Sequence, residues 1–168
     1  NDNSNYLYWE NKSVTNDEID ILAFLNSKKH KKKLTILHIG IGNSFLASKL
    51  NDFNEIIGIT ISQNEIKYAS TKNIVNYKYF FLNKYKANSL DIFENKKFDI
   101  IIDTNIKSFS CCDKAFNNLF KQYVNSLSHS GYIISHINGL KWSRIVRPKL
   151  SFSLKNFFYK RLKEYDGP

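Results

Sequence analysis

Arginine is nearly absent from these 168 residues, standing only at positions 144, 147 and 161. The formal charge is nevertheless +10, with a pI of about 9.5, so lysine carries almost all of it. A basic chain invites a nucleic-acid reading. Base readout prefers the planar fork of arginine, so a nucleic-acid partner is not favoured. The joint abundance of Asn, Lys, Ile, Phe and Tyr points instead to an AT-rich coding bias. Cysteine is scarce too. Cys111 and Cys112 are adjacent, which builds no disulfide framework and fits a reducing compartment; a cytoplasmic location is expected. No apolar run approaches the ~20 residues a membrane span needs, and no signal-peptide pattern appears. No Cys/His spacing suggests zinc, so no metal is expected. No internal repeat or low-complexity segment is present. The length fits one domain with a sizeable core.

The chain is organised around Leu34 to Ser44. Leu34, Ile36, Leu37 and Ile39 read as a strand covered on both faces. Gly40 and Gly42 then supply a turn whose backbone can approach a ligand closely. Ser44 is expected to cap a helix running to Leu50. A strand, a glycine turn and a helix N-terminus together suit a nucleotide or nucleoside. A second strand, Glu55 to Thr60, follows. Thr60 lies at about the distance from Gly40 where a dinucleotide fold places its ribose contact. Phe45 stands where the third glycine of Gly-x-Gly-x-x-Gly should be, which argues against a nicotinamide site. No Walker lysine follows the turn, which disfavours ATP hydrolysis.

Before this core, Thr15 and Glu18 make a capping box, and Ile19, Leu22, Ala23 and Leu25 give a helical face through Asn26. Residues 28–33 form a basic connector. The cluster Tyr6-Leu-Tyr-Trp9 is either packing or a lid over a pocket. After the core's second strand, Ser62 and Glu65 make another capping box, opening a helix to about Val75. Tyr77 to Asn83 reads as a third strand, Asn88 to Glu94 as a short helix, Phe98 to Asp103 as a fourth strand. A loop from Thr104 to Cys112 leads to a helix capped by Asp113, with Phe116, Leu119, Tyr123 and Val124 on its buried side. Ser130-Gly131 closes that unit, and Tyr132 to Ile137 is the fifth strand. Alternating strands and helices imply a doubly wound, mostly parallel α/β sheet with helices on both faces. Beyond Trp142 a helix from about Ser153 competes with a hairpin.

This order of elements, from Leu34 to Trp142, resembles the class I S-adenosylmethionine-dependent methyltransferase family. The resemblance implies one domain: an N-terminal helix and possible lid (1–33), a nucleoside-binding core (34–142) and a C-terminal extension (143–168), with the family's last strands shortened or absent. The cofactor implied is S-adenosylmethionine, leaving as S-adenosylhomocysteine. The first motif reads Leu37-His-Ile-Gly-Ile-Gly-Asn-Ser44. His38 stands where the family carries an acid toward the methionine ammonium group, and a neutral His accepts one hydrogen bond without supplying charge; the alternative is a hydrogen-bonded core histidine. Gly40, Gly42, Asn43 and Ser44 would line the cofactor. Thr60 replaces the ribose-binding acid. Gly58-Ile-Thr-Ile-Ser62 with Glu65 is similar to the Gly-Leu-Thr-Leu-Ser-x-x-Gln stretch of cyclopropane fatty acid synthases, which would bring Thr60 and Glu65 to the ribose; alternatively Glu65 only closes its capping box. Ile61 would lie against the adenine, and Asn83 would hydrogen-bond it.

For catalysis the candidates at the carboxyl ends of strands four and five are Asp103, Asn105 and His136. Methyl transfer is an in-line displacement that rests largely on positioning, with a base needed only where the nucleophile must lose a proton. His136 is the best base by its ordinary pKa. The (Asp/Asn)-Pro-Pro-(Tyr/Phe) motif of amino-methylating nucleic-acid enzymes is missing, as is a Pro-Cys nucleophile. The expectation is methyl transfer to a small-molecule acceptor. The alternatives are an RNA methyltransferase, or a non-catalytic domain that binds a nucleoside or a protein.

Overall fold

The computed structural model describes residues 4–27, 32–52, 54–94, 96–108 and 110–141. At its centre are β1 (Thr35–Ile39), β2 (Glu55–Thr60), β3 (Tyr77–Phe81), β4 (Phe98–Ile102) and β5 (Leu127–Ile134). They form one sheet in the order β3-β2-β1-β4-β5, and every adjacent pair is parallel. The winding direction reverses between β1 and β4, which opens a crevice at their carboxyl ends.

Strand register decides which helix covers which residue. Ile36 lies beside Ile56 and Ile100, so the three share a face. That face packs on Ile21 and Leu25 of α2 (Asn16–Ser27) and on Leu46, Ala47 and Leu50 of α3 (Phe45–Leu50). Leu37, Ile57 and Ile101 point the other way, onto Phe116, Leu119 and Tyr123 of α5 (Asp113–Ser126). Burial of each such side chain contributes about 1.5–3 kcal/mol. The expected doubly wound α/β fold is therefore observed, its central strands apolar on both sides as parallel strands between helix layers must be. Among the described residues no helix is long and apolar enough to cross a membrane.

Several boundaries differ from the sequence reading. Residues Ser4–Asn11 form a helix, α1, which packs against α4 (Gln63–Ser70). The box at Thr15 forms with both bonds in place, but α2 buries Ile21 and Leu25 and leaves Ile19 half exposed. Ser44 adopts a left-handed backbone and its side chain caps nothing; the Asn43 carboxamide oxygen takes the Phe45 N–H instead. α4 ends at Ser70 rather than Val75, because the Ser70 and Thr71 hydroxyls bond back to Lys67 and Tyr68 and Asn73 turns left-handed. β3 stops at Phe81, since Asn83 closes a side-chain turn onto the Tyr85 N–H. The expected short helix is a 3-10 turn, Ser89–Phe93. Cys112, not Asp113, occupies the cap position of α5. β5 starts at Leu127 rather than Tyr132 and ends before His136, with a register shift opposite Phe98 to Ile100. Gly131 sits in that irregular stretch because a side chain there would meet the Phe98 carbonyl at 2.8 Å. A short α6 (Ile137–Lys141) follows. The alternatives for 143–168 lie outside the described residues.

Candidate functional site

The turn after β1 is built by glycine conformation and held by a carboxylate. Gly40 and Gly42 have φ of 73° and 53°, a region that costs other residues strain. The Gly40 N–H donates to the Ile59 carbonyl at 2.8 Å, extending the β1–β2 ladder by one step. A side chain at Gly40 would meet nothing within 4 Å, so the space beside it is open. Gly42 is different: its N–H donates to Glu65 Oε2 at 3.1 Å, and a side chain there would lie 3.6 Å from the Trp9 ring.

Glu65 therefore does more than cap. Its own N–H donates to Ser62 Oγ, but the return bond of a capping box is absent: the Ser62 N–H goes to Thr60 Oγ1. The carboxylate turns inward, where the Thr60 hydroxyl and the backbone of Gly42 and Ile41 donate to it. Burial pushes this carboxyl above the ordinary carboxylate range, and those donors pull it part of the way back. Thr60 and Glu65 thus meet each other and the turn, an acid–hydroxyl pair at the end of β2.

His38 lies in β1 beside Gly58 and Ile102. It is 4% exposed, and burial drops its pKa to about 4, so the ring is neutral at pH 7. Its Nδ1 has no hydrogen-bond partner among the described residues. Two more buried hydroxyls, Ser44 Oγ and Tyr77 Oη, face each other, and neither has a further partner among the described residues. Gly58 makes room for Tyr77, since a side chain there would lie 2.7 Å from the Tyr77 hydroxyl and 2.6 Å from Ile41 Cγ2. Burial raises the Tyr77 phenol well above its usual pKa.

The remaining predicted cofactor contacts are arranged around the carboxyl ends. Asn43 ties the turn to the chain between α1 and α2, its Nδ2 donating to the Lys12 carbonyl at 3.1 Å. Lys12 Nζ stands 4.6 Å from the centre of the Trp9 ring. Ile61 is 53% exposed just past β2, free to lie against a flat ligand. The Asn83 oxygen is taken by Tyr85 N–H, and its residue is exposed.

The three catalytic candidates have different surroundings. Asp103 is buried, and both its oxygens accept from Lys84 Nζ, at 3.1 and 2.9 Å; Tyr123 Oη donates to it at 2.8 Å. Lys84 also donates to the Asn105 carbonyl at 2.8 Å. Tyr85 Oη donates to the Ile106 carbonyl, again tying the β3 loop to the β4 loop. The buried Tyr123 phenol is raised well above its usual pKa by desolvation and by the Asp103 charge. Asn105 itself is exposed and contributes a carboxamide, which is no base. His136 Nδ1 accepts the Asn138 N–H at 3.2 Å, which leaves the ring proton on Nε2. That nitrogen lies 3.5 Å from Asp17 Oδ1. The lone pair a general base needs is thus already used. Lys84 and Asp17 were missed by sequence reasoning, since nothing local marks them as partners of Asp103 and His136. Among the described residues no group of three or more His, Cys, Asp or Glu is placed to hold a metal ion.

No known family profile matches the sequence, and no curated protein matches it. Solved structures match in fold. One is the N-methyltransferase NodS from Bradyrhizobium japonicum WM9, in complex with S-adenosyl-L-homocysteine, with TM-score 0.57 and 15% identity over 78% of this chain and 71% of that one. An S-adenosylmethionine-dependent methyltransferase from Agrobacterium tumefaciens matches with TM-score 0.64 and 12% identity over 89% of this chain and 51% of its own. An rRNA methylase from Streptococcus thermophilus matches with TM-score 0.56 and 10% identity over 74% and 72%. This chain spans about half the length of the Agrobacterium protein.

Proposed function

We propose that this class I methyltransferase-like fold is an S-adenosylmethionine-dependent methyltransferase acting on a small molecule. Two observations carry the reading: the open space beside Gly40 in the turn after β1, and, two residues earlier in the same strand, a neutral, buried His38 whose Nδ1 has no partner among the described residues, both beside the sheet's reversal point. These residues fit the methionine end of the cofactor: a neutral imidazole nitrogen accepts a hydrogen bond from an ammonium group. Gly40 lets the ligand approach the backbone, Thr60 and Ile61 border the ribose and adenine, and Asn83 stands at the base edge. The local likeness to cyclopropane fatty acid synthases supports Thr60 and Glu65 on the ribose side, and here Glu65 acts by holding the Gly42 N–H and the Thr60 hydroxyl. When bound, the cofactor supplies a methyl group on an electrophilic sulfonium.

The chain's own part is to position. Asp103, clasped by Lys84 and Tyr123, fixes the loop through Asn105 and Ile106 that borders the acceptor side. His136 joins α6 to Asp17 of α2. With Nδ1 of His136 and both oxygens of Asp103 occupied, the site suits an acceptor whose lone pair needs no proton removed. A lysine-dominated charge favours a small acceptor over RNA. The same occupied groups favour a second reading, a nucleoside-binding domain without turnover.

Calorimetric titration with S-adenosylmethionine and S-adenosylhomocysteine tests the first step. Gly40→Asn is the matching variant, because Asn tolerates a left-handed backbone and fills the open space. Micromolar binding that Gly40→Asn weakens at least about tenfold, or ~1.4 kcal/mol, supports the site. Absence of binding up to millimolar ligand refutes the methyltransferase reading. Binding without methyl transfer to any amine acceptor leaves the second reading.

A further inference from the structure

Cys111 and Cys112 play no part in the site just described, yet their geometry is specific. Neither is in a disulfide and both are exposed. Adjacent side chains on an extended chain point to opposite sides, but here the two sulfurs lie 3.4 Å apart. Two contacts hold the segment. The Ser110 hydroxyl donates to the Cys112 carbonyl at 2.8 Å, and the Phe116 N–H of the first turn of α5 donates to the same oxygen at 3.2 Å. The pair sits in the segment that leads from the carboxyl end of β4 to α5.

The spacing selects a ligand by its bond angle. At sulfur–metal lengths of about 2.3 Å, a 3.4 Å separation corresponds to an angle of roughly 95° at the bound atom. A linear two-thiolate ion would need sulfurs about 4.6 Å apart at that bond length. A structural zinc would need four ligands, and no third His, Cys, Asp or Glu joins the pair among the described residues. What remains is a soft, pyramidal centre that takes two thiolates from the protein and brings its own third substituent.

We propose that Cys111 and Cys112 form a two-thiolate binding site for a trivalent metalloid, of the class of monosubstituted arsenic(III) compounds. The two thiols replace two hydroxyl groups on arsenic. Two arsenic–sulfur bonds form, two arsenic–oxygen bonds break, and the thiol protons leave in two waters. Arsenic stays trivalent and sulfur is not oxidised, so no redox partner is involved. The site is independent of S-adenosylmethionine and of the methyltransferase reading.

The test uses the full reduced chain and phenylarsine oxide. These are the chain's two cysteines, so intact mass and free-thiol titration report the site directly. The expected result is one arsenical per chain with loss of both thiols, displaced by a small dithiol but not by excess monothiol. Cys111→Ser and Cys112→Ser are each expected to bind about a hundredfold or more weakly, because the second bond is then no longer intramolecular. Both positions are exposed, so an unchanged thermal melt verifies that the variants fold. Single variants that bind as tightly as the parent, ready displacement by monothiol, or a preference for silver(I), which takes two thiolates in line, would each overturn the proposal.

Discussion

Lowering the pH from 7 to 5 is expected to destabilise this protein through His38 in particular. In the folded state its pKa is about 4, set by burial; in the unfolded chain it is about 6.5. Above pH 6.5 neither state holds the proton, so the full stability is present. As the pH falls, the unfolded chain takes up the proton first and stability drops by about 1.4 kcal/mol per unit. The loss ends near the folded pKa, after a total of about 3 kcal/mol, of which about 2 falls between pH 7 and pH 5. The residue is 4% exposed, so solvent screening takes little from this figure. The assay is urea unfolding at a series of pH values, followed by tryptophan fluorescence, for the parent and His38→Leu. Glu65, Glu55 and Asp99, whose folded pKa values are also shifted, are common to both proteins and cancel in the difference. The leucine variant should lose about 2 kcal/mol less over that interval. Parallel stability curves for the two proteins would show that His38 is solvated or hydrogen-bonded, and the argument for an unpartnered neutral ring would fail.

Other substitutions probe the packing around the site. Lys84→Met strands the buried Asp103 charge and should cost about 3–5 kcal/mol, whereas Lys84→Met with Asp103→Leu should recover most of it; equilibrium unfolding distinguishes the two. Gly58→Ala drives a methyl group against Ile41 and the Tyr77 hydroxyl, with an expected loss of about 1–3 kcal/mol. Adding Tyr77→Phe should return part of that loss in the same unfolding assay. Glu65→Gln keeps an acceptor for the Gly42 N–H while removing a desolvated charge, so its melting temperature at pH 7 should equal or exceed the parent's. Glu65→Leu, which leaves that N–H unmatched, should fall by about 1–3 kcal/mol.

The central strands were legible because burial on both faces writes itself into sequence as short runs dominated by Ile and Leu: β1, β2 and β4 lie where Leu34–Ile39, Glu55–Thr60 and Phe98–Asp103 were read. β5 was misplaced because an irregular strand interrupts its own pattern, and Ser130-Gly131 looks like a turn when it is part of the strand. α1 carries no apolar periodicity to read, and its place depends on packing against α4. Within the site, the positions of Gly40, Gly42 and Thr60 followed from the order of elements. Their surroundings did not. Glu65 is drawn to Gly42, Lys84 to Asp103 and Asp17 to His136 by contacts between distant segments, and no local spacing encodes such pairs.

The clasp of Lys84 on Asp103 has a dynamic consequence. It joins the loop after β3 to the loop after β4 across the reversal of the sheet, with Tyr85 and Tyr123 adding bonds on either side. The Ser108 N–H, bonded to the Asn105 carbonyl within that loop, is therefore expected to be better protected from solvent deuterium than an ordinary loop amide, which hydrogen-exchange mass spectrometry measures. If the two loops open as one cooperative unit, this stretch of the rim exchanges with the core and not with the termini, and Lys84→Met should release it to faster exchange.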